Sequence, residues 1–116
     1  MRVGSRSRKE STGVVEVNYS FAADAETEYL EAVLYFEEKH AGLGASLIAE
    51  FERVMDLAVD RPDAWRLIHP SGIRRINLVR FPYTVFYRIL QTQQIQVMAF
   101  AHHRRSPGYW IGRVAG

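Results

Sequence analysis

The sequence predicts an α+β fold: an N-terminal strand, an antiparallel helical hairpin, then a three- to four-stranded antiparallel meander, with the helices packed on one face of the sheet. Three observations carry this expectation. Apolar residues recur at helical spacing from Ala25 to Ala58, the period turns extended after Pro62, and short polar turns divide the remainder into strands. A chain of 116 residues with 47% hydrophobic content fits one domain around a single core.

Residues 1–13, "MRVGSRSRKESTG", have little to bury and are expected to form a disordered basic tail, leaving 14–116 as the domain. "VVEVNYSF" (14–21) is β-branched and partly alternating, which suits a first strand. A helical stripe then runs through Ala25, Tyr29, Ala32, Val33 and Phe36, with Glu26, Glu28, Glu31, Glu37 and Glu38 mostly on other faces. Asp24 stands where an N-cap would, and Gly42 where a helix commonly ends. A second stripe, Leu43, Leu47, Phe51, Val54 and Ala58, stops at Arg61-Pro62, because proline disfavours a helical residue before it. The link "AGLGAS" is short, so the helices should run antiparallel. Tyr29, Phe36 and Phe51 read as core.

Beyond Pro62, "AWRLIH" (64–69) suits a short strand and Pro70-Ser71-Gly72 a turn. "IRRINLV" (73–79) alternates, with Arg74, Ile76 and Leu78 on one face and Ile73, Arg75, Asn77 and Val79 on the other. "YTVFYRIL" (83–90) is rich in β-formers, "QTQQ" (91–94) is a polar turn, and "IQVMAFAH" (95–102) is apolar on both faces, as a central strand is. The sheet face away from the helices, where arginines recur, is expected to stay open.

Charge is unevenly placed. All 13 acidic residues lie at or before Asp63, where seven basic residues leave a net −6; from Ala64 onward there are eight arginines and no acid. Such asymmetry directs a basic face at an anionic partner, and arginine offers a planar fork for phosphates and carboxylates. No cysteine is present, which excludes disulfides and thiolate metal sites and fits a reducing cytoplasm. No apolar stretch approaches the roughly 20 residues of a membrane span, and the basic N-terminus lacks a secretory apolar segment. A cytoplasmic protein with no membrane partner is expected. The four histidines do not make a metal site: His102 and His103 are adjacent and point to opposite faces of an extended chain, His40 and His69 lie in other elements, and no carboxylate follows Asp63. No cofactor is expected.

Two segments carry a family resemblance. "IRRINLVRFPYTVFYRI", with its Phe81-Pro82-Tyr83 and Tyr87, and the ending "VMAFAHHRRSPGYWIGR", with His103, Arg105, Pro107 and Trp110, resemble the RelE/ParE superfamily of toxins from bacterial type II toxin–antitoxin systems. The likeness spans residues 14–113. It implies a toxin of a plasmid-stabilisation or stress module, neutralised by a cognate antitoxin protein that wraps around it, as a homodimer or a toxin–antitoxin hetero-oligomer. Its members divide: RelE-like toxins are ribosome-dependent mRNA endonucleases, whereas ParE-like toxins poison DNA gyrase without enzymatic chemistry.

For a metal-free nuclease, the resemblance places Arg75 and Arg104 at basic positions and Tyr109 (or Trp110, on a one-residue shift) at the tyrosine position, with His102 or His103 available as a base. Thr84, however, stands where such nucleases carry an arginine, and Asn77 where a lysine is expected. Losing two cations from a phosphate site removes transition-state stabilisation. The ParE-like mode asks only for a basic surface and an exposed anchor, and Arg80, Arg88, Arg104, Arg105, Tyr109, Trp110 and Arg113 are the expected target contacts. The alternative is that Tyr109 and Trp110 fold back to cap the core, as at least one of them is expected to do. That non-enzymatic mode is preferred here. Leu30, Leu34 and Ile48, off the main helical stripes, are the expected antitoxin contacts. A third reading is a non-toxic member that binds only antitoxin and DNA for autoregulation.

Overall fold

The computed structural model describes residues 18–91 and 94–114; the expected tail at 1–13 and the first part of the expected strand, 14–17, lie outside them. The elements are β1 (Tyr19–Phe21), α1 (Ala23–Lys39), α2 (Leu43–Asp60), β2 (Arg66–His69), β3 (Ile73–Asn77), β4 (Tyr83–Gln91), β5 (Gln94–His102) and α3 (Ile111–Val114). The strands form one sheet in the order β1-β5-β4-β3-β2. The meander from β2 to β5 is antiparallel throughout, as its short turns require. β1 lies parallel to β5, a pairing its distance along the chain permits because both helices form the crossover.

The two helices cover one face. Ala25, Tyr29 and Ala32 of α1 and Leu47, Phe51, Val54, Met55 and Ala58 of α2 are buried against Ile76, Val85, Tyr87, Val97 and Phe100 of the sheet. Tyr29 and Phe51 meet at a centroid distance of 4.4 Å, and Phe100 stands edge-on to both. Such ring pairs add about 0.5–1.5 kcal/mol each beyond the area they bury. Tyr87, fully buried, donates its hydroxyl to the Pro62 carbonyl at 2.7 Å, tying the sheet to the end of α2. Burial pushes its phenol up to about 12.

The hairpin is tighter than the sequence implies. Only His40, Ala41 and Gly42 separate the helices, because Leu43 onward is already helical. Gly42 takes φ 95°, the left-handed region that favours glycine, and Glu37 accepts the amide protons of Gly42 and Gly44 at 3.0–3.1 Å. A Cβ on Gly44 would lie 3.0 Å from the Val33 carbonyl oxygen, so this glycine sets how closely the helices approach. Asp24 is not the N-cap: Ala22 holds that position with no side-chain hydrogen bond, and Asp24 sits in the first turn, where its charge still favours the helix dipole.

The far face is not open. Ile73, Met98, Ala99 and Trp110 form a second buried cluster there, with Ile68, Phe86, Tyr109 and Val114 packed around it. Between Phe86 and Tyr87 the register slips, so that Met98 is an extra residue in β5. Two consecutive side chains, Met98 and Ala99, then join the same far-face cluster, which is what a bulge permits and strict alternation forbids.

Candidate functional site

The end of β5 is fixed before the chain turns back: the His103 amide donates to the Pro82 carbonyl and the Arg105 amide to the His102 carbonyl, both at 2.9 Å. Gly108 at φ 74° turns the segment again and leads into α3. These turns drive Trp110 onto the far face, where it packs on Phe86 at 4.9 Å and edge-on to His69 at 5.7 Å. Trp110 is 4% exposed, so the expected exposed anchor is instead a core residue that caps the sheet. Burial of so large an apolar ring outweighs any use of it on the surface.

The segment is held by a carboxylate hub. β1 is only three residues long, and its last pair is Phe21 with Val97, so the outer edge of β5 beyond Val97 lacks a neighbouring strand. Glu28 of α1 accepts the Phe100 amide there at 3.0 Å, and Arg113 donates to the Met98 carbonyl at 3.0 Å. Arg113 also donates to both Glu28 oxygens, at 3.1 and 2.6 Å, and approaches Asp24 at 3.6 Å. One ion pair thus satisfies the exposed β5 edge and ties α1 to the C-terminal segment. Burial would raise the Glu28 carboxyl, but the Arg113 hydrogen bond, the Phe100 amide and the nearby Tyr109 hydroxyl together hold it below its ordinary value. Arg113, expected as a target contact, is therefore a half-buried tether.

Tyr109 lies between two guanidiniums, with Arg105 at 3.7 Å and Arg113 at 5.0 Å from its ring centroid. Its hydroxyl is buried near Glu28 without forming a well-shaped hydrogen bond. Burial first, and then the Glu28 charge, push the phenol up to about 12. Near neutral pH it therefore keeps its proton.

Between this segment and the sheet lies a depression of about 230 Å³, walled by Arg75, Thr84, Phe86, His102, His103, Arg105, Ser106 and Tyr109 among others. Of the residues expected in a nuclease, Arg75, His102, His103 and Tyr109 are brought together here, and Arg104 is not among the lining residues. His102 accepts the Arg104 amide proton on Nδ1 at 3.0 Å, which in the neutral ring leaves the proton on Nε2. Asn77 and Thr84 are cross-strand partners, and the Thr84 hydroxyl donates to Asn77 Oδ1 at 2.5 Å. The two positions that resemble cationic sites in the nucleases are thus a neutral pair that satisfies itself. Among the described residues no three of His, Asp and Glu converge as metal ligands.

The other expected contacts scatter. Arg80 sits on the opposite side, beside α2, where it pairs with Glu50 at 3.6 Å. Arg88 lies two strand positions beyond Phe86 and donates to Gln96 at 3.0 Å. Of the expected antitoxin contacts, Leu30 and Leu34 are exposed (Leu34 at 64%) and continue with Tyr35 along α1. Ile48 packs against the core instead, because it borders the buried stripe of α2.

Two residues escaped the sequence reading. Glu28 is grouped with acids mostly off the apolar stripe and Glu50 is given no role, yet Glu50 is 6% exposed and accepts the amide protons of Val79 and Arg80. Spacing held the signal: Glu28 falls between Ala25 and Ala32, and Glu50 between Leu47 and Val54, each at steps of three and four on the apolar stripe. An acid on a core stripe needs donors, and here it finds backbone amides.

No curated protein sequence matches this chain. Among solved structures, the chromosomal ParDE toxin–antitoxin system from P. aeruginosa contains a chain similar to this one, with a TM-score of 0.62 at 13% identity, covering 72% of this chain and 92% of that chain. At that identity the likeness is one of fold. The profile of the ParE toxin of type II toxin–antitoxin systems, parDE, matches residues 19–107, which includes β1 to β5 and stops short of Tyr109, Trp110 and Arg113. With most of its length matched, and with the strand, helical hairpin and antiparallel meander that the likeness requires, the chain belongs to the ParE toxin family of type II toxin–antitoxin systems.

Proposed function

We propose that this ParE-family toxin acts by binding, without cleaving any bond, that its target is DNA gyrase, and that a cognate antitoxin neutralises it in the cytoplasm. One observation carries the non-enzymatic part. In the depression where a nuclease would need free acid, base and cations, Arg75 is a free cation among the described residues, but most of the other groups are committed to the fold. Asn77 and Thr84 bond to each other, His102 Nδ1 is occupied by a backbone amide, and the Tyr109 phenol is buried beneath Arg105. Metal-free RNA cleavage needs a base for the 2′-hydroxyl and an acid for the leaving oxygen, and of the lining side chains only His103 and the Nε2 of His102 are left for those roles. The family match supports gyrase as the target. The exposed strip of Leu30, Leu34 and Tyr35 supports an antitoxin helix seated on α1.

The test adds purified toxin to gyrase and follows supercoiling and cleavage-complex formation, with mRNA on translating ribosomes followed in parallel. Inhibited gyrase with intact mRNA is the expected result. Cut mRNA with unaffected gyrase overturns the proposal and returns attention to Arg75 and His103; no effect in either assay favours a non-toxic, autoregulatory member.

A further inference from the structure

Arg66 of β2 and Arg75 of β3 are directly opposed in the antiparallel ladder, so both side chains rise from the same face of the sheet. Phe86 faces Arg75 from β4 and is itself part of the far-face cluster, which places the arginine pair on that face. Like charges so placed repel each other and cost stability. Both residues are exposed, and no ion pair to either is found among the described residues. The chain has no acid after Asp63 to compensate them. Arg75 also forms one wall of the depression whose other wall carries His103 and Arg105. Arg105 is 51% exposed and reaches Glu28 only at 3.8 Å, since Arg113 already occupies that carboxylate.

We infer that this row, Arg66, Arg75 and Arg105, is a binding site for the phosphodiester backbone of a nucleic acid. The partner is a polyanion rather than a protein segment because of what the row lacks. The exposed large apolar side chains of the molecule lie elsewhere, and none lines the depression. A peptide helix or strand needs apolar anchors of that kind to hold its place. Forked cations rim a hollow of mixed lining, in which Phe86 and Tyr109 are half-buried and Trp110 is buried, and such forks suit sequence-independent phosphate binding. The site shares Arg105 with the expected target contacts, so the variants that test it are placed at Arg66 and Arg75, which lie outside those contacts.

Fluorescence anisotropy of labelled single-stranded DNA, single-stranded RNA and duplex DNA of mixed sequence, titrated with the toxin over a range of salt, tests it. Binding is expected to weaken with salt, with a log–log slope of about −0.7 per single-strand phosphate contacted, and the three probes show which form of backbone fits. Arg66→Ala and Arg75→Ala each lower affinity about tenfold, as loss of one charged hydrogen bond does, and each reduces the slope by about 0.7 on single strands or about 0.9 on duplex DNA. Both variants relieve repulsion, so the loss comes with an unchanged or raised melting temperature. Arg61→Ala, which removes a cation at the end of α2, leaves affinity as it was. The inference fails if no probe binds, or if Arg61→Ala weakens binding as much as Arg75→Ala, since net charge then explains it. It also fails if polyglutamate binds with the same dependence on Arg66 and Arg75 while the nucleic acids do not. Gyrase inhibition by the same variants is scored separately and survives any of these outcomes.

Discussion

Replacing Glu28 by glutamine should loosen the C-terminal segment far more than its place on a surface helix implies. The wild-type carboxylate accepts one hydrogen bond from the Phe100 amide and two from Arg113, at 3.0, 3.1 and 2.6 Å, with side chains only 14% and 19% exposed. Hydrogen bonds to charged groups are worth about 1.5–3 kcal/mol each, and an amide retains part of them. It also turns a donor toward the Arg113 guanidinium, which leaves that charge without its partner. A loss of about 2 kcal/mol follows, or a fall in Tm of roughly 8–16 °C for a domain of this size. Acid titration adds a signature. The Glu28 carboxyl is held below its ordinary value of 4.5 in the folded protein, so its contribution is fully present above that value and is lost as pH falls through the folded one. Urea unfolding followed by circular dichroism, repeated from neutral to acid pH, should show the wild type losing its advantage over Glu28→Gln below about pH 4.5. Arg113→Ala combined with Glu28→Gln should cost less than the sum of the two single changes, because each alone strands the other partner. A cost under about 0.5 kcal/mol for Glu28→Gln, or strict additivity in that cycle, would refute the tether.

Trp110→Ala should destabilise by about 3 kcal/mol or more, as loss of a buried ring does, and chemical denaturation reads this directly; an anchor for the target would instead lose binding at unchanged stability. Gly44→Ala, usually favourable in a helix, should here cost about 1 kcal/mol, because its Cβ would press on the Val33 carbonyl and Glu37 at 3.0 Å, and a higher Tm would refute the close approach. Leu34→Glu should leave the melting temperature within about 2 °C of wild type, since the side chain is mostly exposed. It should weaken antitoxin binding in calorimetry by at least about tenfold if α1 carries that interface.

Periodicity alone located most of the elements, and the reason is physical. The stripes Ala25–Phe36 and Leu43–Ala58 each bury one side of a helix, and burial of one side forces a period that the chain displays. β5 reads as central because both of its faces are covered, by Phe100 and Val97 on one side and Met98 and Ala99 on the other. Local capping was less legible: Asp24 is the better N-cap by type, yet the path of β1 into α1 gave the position to Ala22. The far face was misread as open because Trp110 and Tyr109 lie after the last strand, where composition cannot tell a returning segment from a projecting one. Glu28 and Glu50 were passed over because acidic residues on helices are mostly solvated, although both fall on the apolar stripe.

The sequence by itself determined the order of elements, the helical hairpin, the central strand and the concentration of arginine after Asp63, since each follows from spacing or composition along the chain. Only the tertiary structure decided which of those arginines are free. Arg113 is consumed by Glu28 because a three-residue β1 leaves the end of β5 needing partners, whereas Arg66 and Arg75 are set against each other by the β2–β3 register. Pairing across the fold depends on which residues meet in space, and no local pattern encodes that meeting.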